Sequence, residues 1–200
     1  MLTRGFSLIE VLVSLLLLGM GMLGIVALAG NGQRSFSEST QRAEALRYVE
    51  EMADRIRVNP GAIANYVAPG AAATPVPVGD GTEFDAIGST VPDCALSAAS
   101  AAAGGCTPAE MAEYDRAWWD GLVAGRFGEL GLTAPQGCIN RVVGIPERAR
   151  IALVWQGMSD TQDLGANGAL FEAIDCGDGT FVGAAARLSR RMAVLEVALP

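Results

Sequence analysis

Glu10 is the one ionisable side chain between Phe6 and Ala29, in a stretch that otherwise reads FSLIEVLVSLLLLGMGMLGIVALA. A carboxylate at mid-membrane costs about 2.5 to 3.5 kcal/mol on insertion scales, so its presence in an apolar run marks a functional candidate. Two local readings compete with a functional one. Ser7 and Glu10 fit the S-x-x-E capping box, in which Glu10 satisfies backbone amides at a helix start. A carboxylate near the membrane edge also snorkels toward the headgroups, which explains tolerance without purpose.

The other reactive side chains lie downstream. Cys94, Cys106, Cys138 and Cys176 all follow the apolar stretch, and an even count beyond a membrane anchor suits an oxidising compartment. Four cysteines allow three pairings; Cys94 with Cys106 and Cys138 with Cys176 are favoured because each closes a local unit. On the loop-entropy account the two links contribute roughly 3 and 4 kcal/mol, and four buried free thiols are the alternative. No C-x-x-C spacing and no His occur, so a zinc site is not expected, and the commonest general base is missing as well. Asp160, Asp163, Asp175 and Asp178 match no calcium-loop template, and Ser159 and Ser189 lack a His partner or a G-x-S-x-G setting. No catalysis, no metal, no cofactor and no small-molecule substrate are expected. The chain carries 14 basic residues, all Arg, against 22 acidic ones, a net charge of −8, which argues against nucleic acid as a partner.

The element that positions Glu10 is a membrane helix. Leu8 to Ala29 gives about 22 residues, roughly 33 Å as a helix and enough to cross the hydrocarbon core. Ala27-Leu28-Ala29 offers the small-x-small pattern of a secretory signal peptide, but the long apolar run and Glu10 near its start weigh against cleavage there. Arg4 precedes the span while Arg34, Arg42 and Arg47 follow it, so charge counting alone leaves the orientation open. Gly19, Gly21 and Gly24 match the G-x-G-x-x-G dinucleotide fingerprint only by accident, since no strand precedes them. They weaken the helix by about 1 kcal/mol each relative to Ala, a candidate place for local melting.

Beyond Asn31 the composition turns polar, with Phe36, Ala43, Leu46, Val49, Ala53 and Ile56 recurring at helical spacing and Glu38/Arg42 and Glu51/Arg55 at i, i+4. No proline lies between Phe6 and Val58, and Asn59-Pro60-Gly61 supplies the stop. One helix of up to about 53 residues, near 80 Å, is therefore expected.

These residues resemble a known family. Gly5-Phe6-Ser7-Leu8-Ile9-Glu10, after a short leader containing Arg4, closely resembles the processing site of type IV prepilins and of the pseudopilins of type II secretion. The resemblance implies cleavage between Gly5 and Phe6 by a prepilin peptidase on the cytoplasmic side, then N-methylation of Phe6. It also implies a single-pass chain of the inner membrane with its amino end cytoplasmic and its bulk periplasmic, later incorporated into an extracellular pilus. AEALRYVEEMADRIRVNP (Ala43 to Pro60), Tyr66 and CTPAEMAEYDRAWWDGL (Cys106 to Leu122) are similar to the PilV-type minor pilins, the type IV pilus modification proteins. One departure concerns the membrane helix: major pilins carry a later proline where this chain has Ala27, while Gly19 matches the glycine they use.

Cleavage changes the chemistry around Glu10. Removal of Met1 to Gly5 exposes a positive α-amine on Phe6, and in a bundle of parallel helices Glu10 of one subunit pairs with that amine on the next. At 4 Å and an effective dielectric of 20 the Coulomb term is about 4 kcal/mol before desolvation, enough to select a register.

For the remainder, Ala62 to Gly105 is rich in Ala, Gly and Pro and reads as a long irregular region. Thr107-Pro108-Ala109-Glu110 combines an N-cap, an N1 proline and a capping box, so a helix starts there and runs to about Phe127. Its adjacent Trp118 and Trp119 cannot share a face; one anchors the core and the other is exposed. Strands are expected over Cys138 to Ile145, Arg150 to Gln156, Ala169 to Asp175 and Arg191 to Leu199, in a sheet covered on one face. The fold class is α+β: a long helix on an antiparallel sheet of about four strands, the pilin-like fold that the resemblance implies. The expected organisation is a leader over 1–5, a transmembrane segment over 6–30, an amphipathic helical half over 31–59 and a globular pilin domain over 60–200. The functional expectation is a minor pilin that primes or modifies pilus assembly with other minor and major pilins. Its alternatives are a type II secretion pseudopilin and, in a different class, a membrane-anchored adhesin or binding protein.

Overall fold

The computed structural model describes residues 7–67, 76–95, 105–128, 132–142, 144, 146–160, 176, 177 and 179–199. The chain divides into two units, Met1–Thr40 and Gln41–Pro200. Helix α1, Leu8–Val58, is unbroken for 51 residues, as the absence of proline allows.

In the first unit every described side chain from Leu8 to Leu28 is exposed. By length and composition this part of α1 suffices to cross a membrane.

The second unit holds the core. There α1 buries Ala45, Tyr48, Val49, Met52, Ala53 and Ile56, at spacings of three and four. Val49, Ala53 and Ile56 are buried as expected, but the face is turned toward Tyr48 and Met52: Ala43 is exposed, as are Phe36 (73%) and Leu46 (43%). Tyr48 and Met52 are the bulkier apolar bodies, and they draw the helix onto their own side. Asn59 ends α1, donating its amide to the Arg55 and Ile56 carbonyls. A 3-10 turn, Pro60–Ala62, and a short helix α2, Ile63–Val67, follow at once, and α3 covers Thr82–Asp85. Part of the region expected to be irregular is therefore helical, because Pro60 starts a new turn where its missing amide costs nothing.

Helix α4, Pro108–Val123, carries the full capping box: the Glu110 amide donates to the Thr107 hydroxyl at 3.3 Å, and Glu110 accepts from the Thr107 amide at 2.8 Å. Turns continue from Ala124 to Phe127. Trp119 is fully buried and its indole N–H donates to the Tyr48 carbonyl at 2.8 Å, which ties α4 to α1. Trp118 is half-buried in an aromatic group with Phe84, Tyr114 and Phe127.

Among the described residues the sheet has three strands in the order β1 (Gln136–Val142), β2 (Arg148–Gln156) and β3 (Arg190–Ala198), all antiparallel. Cys138 pairs with Ala152, and Ala152 in turn with Val194. Trp119 packs closely against β1 at Gly137, where a Cβ would meet the ring at 2.5 Å. The inner face supplies Ile139, Ile151, Leu153 and Trp155 to one core with α1 and α4. The expectation of a sheet covered on one face is corrected at β2, where Ala152 and Val154 are fully buried on the opposite side. A second apolar cluster covers them, built from Cys138, Cys176 and Phe181. A short helix α5, Ala184–Ser189, leads into β3. The strand expected over Ala169 to Asp175 lies outside the described residues.

Candidate functional site

The membrane arm begins at the edge of the described chain. Gly5 and Phe6, the expected cleavage and methylation positions, lie outside the described residues. Glu10 sits in the first turn of α1 with its side chain exposed, and its amide and that of Val11 donate to the Ser7 carbonyl at 3.0 and 3.3 Å. An acid in a first turn is favourably placed against the helix dipole. Gly19, Gly21 and Gly24 are helical, and nothing lies within 4 Å of where a Cβ would stand on any of them. They leave three gaps in an apolar surface that offers no other polarity until Asn31, apart from Glu10 and Ser14, whose hydroxyl is turned back to the Val11 carbonyl.

Cys94 is joined to Cys106, and Cys138 to Cys176. The first link stands at the surface just before the α4 cap, and the second is buried against the sheet.

The residues that carried the second resemblance converge in space. Asp115, buried on α4, accepts from Arg55 of α1 at 2.7 Å and from the Tyr66 hydroxyl of α2 at 2.5 Å. Arg55 also reaches Glu51 at 3.0 Å, and Asn59 donates to the Pro108 carbonyl at 2.7 Å. Arg116, equally buried, donates to the Tyr66 and Val76 carbonyls and pairs with Glu83 at 2.9 Å. One turn on, Asp120 accepts four amides, from Gly79, Gly81, Glu83 and Phe84. Gly79 has φ +134°, and a Cβ there would meet the Pro135 carbonyl oxygen at 2.6 Å, so the cradle requires glycine.

Burial decides which of these pairs matter. Arg57/Asp54 and Arg126/Asp85 are exposed pairs, worth at most about 1 kcal/mol. Asp115 and Asp120 cannot be solvated where they stand, so removal of their partners is costly. Burial works against the charge on Arg55, but the hydrogen bonds it donates to Asp115 and Glu51 outweigh that and raise its pKa. Burial also pushes the Glu83 carboxyl up, against the pull of Arg116.

Burial, then the bond to Asp115, raises the Tyr66 hydroxyl far above its ordinary value of 10.0. The folded chain therefore keeps a proton that the unfolded chain releases, so this contribution is whole below about pH 10 and is lost progressively above it. Tyr66→Phe is expected to cost about 1.5 to 3 kcal/mol at pH 7, the range for a hydrogen bond to a charged group, while flattening the alkaline fall. Urea midpoints of the two proteins at pH 7 and above pH 10 check this; parallel curves would exclude Tyr66 as the titrating group.

Asp115, Arg116 and Asp120 were not anticipated as key residues. The available signal was their phase: they share the inner face of α4 with Ala112, Trp119 and Val123, and charges on an apolar face require partners.

Comparison with known families bears on both halves. Residues 1–26 match the prokaryotic N-terminal methylation motif, and residues 27–117 match the family described as type IV pilin Tt1218. The chain thus carries a prepilin-type methylation motif followed by a stretch similar to type IV pilins. The second match spans the amphipathic part of α1, Tyr66 and α4 as far as Asp115 and Arg116, so it contains the clamp that Arg55, Tyr66 and Asp115 form between α1, α2 and α4. Type IV pilins are structural proteins, not enzymes. The exposed apolar helix and the prepilin motif together fit a membrane-anchored pilin. No curated protein and no solved structure matches the chain.

Proposed function

We propose that this prepilin-like chain is a PilV-type minor pilin of a type IV pilus. It waits in the inner membrane with its amino end cytoplasmic and its globular part periplasmic. A prepilin peptidase cuts between Gly5 and Phe6 and methylates Phe6, after which the subunit joins other minor and major pilins to prime or modify the filament. The observation that carries this reading is the methylation motif over residues 1–26, set on a helix whose apolar stretch, as far as Ala29, has Glu10 as its one acid. Cleavage creates the Phe6 amine, and Glu10 of one subunit pairs with that amine on its neighbour. The precursor has no such amine within reach, so processing acts as the switch from lipid storage to filament. The glycines at 19, 21 and 24 permit the helix to loosen on the way, in place of the proline that Ala27 replaces.

The clamp serves the same end. Asp115 and Trp119 bind α4 to α1, so a pull on the helix is transmitted to the globular part.

Deleting the gene tests the assignment. Loss or alteration of surface fibres and twitching with intact exoprotein release is expected; normal fibres with failed exoprotein release would instead identify a type II secretion pseudopilin, and neither defect would favour a stationary adhesin.

A further inference from the structure

The two apolar clusters differ in one respect: the cluster shared by α1, α4 and the inner sheet face contains no cysteine, whereas the outer cluster is built around Cys138 and Cys176. We propose that the Cys138–Cys176 disulfide is a redox latch on a separable outer layer of the globular part, and that the inner core folds and stays folded without it.

The geometry of the outer layer carries the argument. Strand β2 presents Ala152 and Val154 outward, and their cross-strand neighbours Cys138, Val194 and Met192 stand beside them. Among the described residues their cover comes from Cys176, Gly177, Phe181 and Ala186. Cys176 is tied to β1 through the disulfide, Gly177 turns with φ +84° and lies against Val154, and Phe181 folds back over the cluster. Among the described residues the local bonds are few: the Thr180 and Phe181 amides donate to the Gly177 carbonyl, and Arg190 reaches the Cys176 carbonyl at 3.3 Å. Such a turn buries one large side chain, Phe181, and does not persist on those bonds alone. The disulfide supplies what is missing by closing a separation of 38 residues. By contrast, Trp119, Tyr48 and Ile151 meet in the inner core through contacts that the disulfide does not touch.

The step is a two-electron exchange. A dithiol reductant breaks the S–S bond, each sulfur takes up a proton to become a thiol, and the reductant closes to its own disulfide. The outward faces of Ala152, Val154, Met192 and Val194 then meet solvent. In a reducing compartment the chain carries an open apolar patch, and in an oxidising one the patch is shut.

Hydrogen exchange on the full chain in detergent tests the latch, with oxidised protein, protein in a dithiol reductant, and the Cys138→Ser/Cys176→Ser variant. Exchange at the Thr180 and Phe181 amides is expected to rise by about 100-fold on opening the link, while α4 stays within about twofold. Binding of an apolar dye rises in parallel, and Cys94→Ser/Cys106→Ser alone leaves Thr180 and Phe181 protected. Unchanged exchange at those amides would overturn the proposal. Equal acceleration in α4 would overturn it too, since the two layers would then be one cooperative unit.

Discussion

Glu10→Ala is expected to yield a protein that inserts and is processed normally yet fails to join other pilins. The substitution removes the one acid from an apolar surface, so membrane insertion becomes easier rather than harder. The proposed processing positions, Gly5 and Phe6, are untouched. What disappears, on the proposed pairing with the Phe6 amine, is the attraction between neighbouring subunits that would fix helix register in a low-dielectric bundle. In-cell crosslinking to other pilins should fall at least about tenfold, as the loss of about 1.4 kcal/mol or more requires. Glu10→Asp shortens the reach by one methylene and should retain part of the signal. Crosslinking of Glu10→Ala at the level of the unaltered protein would exclude the ion pair.

The second large effect belongs to the globular part. Asp120→Ala leaves the Gly79, Gly81, Glu83 and Phe84 amides without their shared acceptor, in a place where water does not replace it. A loss of about 3 kcal/mol or more is expected, since each buried donor left bare costs about 1 to 3 kcal/mol. The effect should be uneven. Segment 79–84 loosens first, Phe84 leaves its seat against Gly121, and the Trp118 group loses one ring. Denaturant unfolding with hydrogen exchange reads both the size and the place. A loss below about 1 kcal/mol would show that the cradle is ornamental to stability.

How far the sequence disclosed this structure depends on how far apart the interacting residues stand. The α4 start was legible because Thr107 and Glu110 act within one turn. The extent of α1 was legible because a missing proline and a Pro60 stop are local statements. The face that α1 buries was legible only in part: Val49, Ala53 and Ile56 lie in the core as their spacing implies, but Leu46 and Met52 compete for it and Met52 is the one inside. Trp118 and Trp119 posed the same problem: adjacency showed that they diverge, and only the Tyr48 carbonyl and Gly137 show which goes inside. Asp115 finds Arg55 across 60 residues, and Asp120 finds its amides across 36 to 41, so no local pattern announces either. The outer cover of β2 was hidden for a different reason. Alternation along Ile151, Leu153 and Trp155 reveals the inner face, but Phe181 sits in a loop whose apolar residue has no period to betray it.

The clamp and the membrane arm answer different questions about one molecule. Arg55, Tyr66 and Asp115 explain how the amphipathic part of α1 is held by its own globular part, and leave the exposed stretch from Leu8 to Leu28 for lipid or for other helices. Glu10 would be wasted in the first of these and useful in the second.

Mass analysis of the mature amino terminus, from cells that carry the peptidase, tests this most directly. A chain beginning at Phe6 and bearing one N-methyl group is the expected result, because only that product carries the amine that Glu10 requires. A chain that still begins at Met1, or one cut after Ala29 to begin at Gly30, would contradict it.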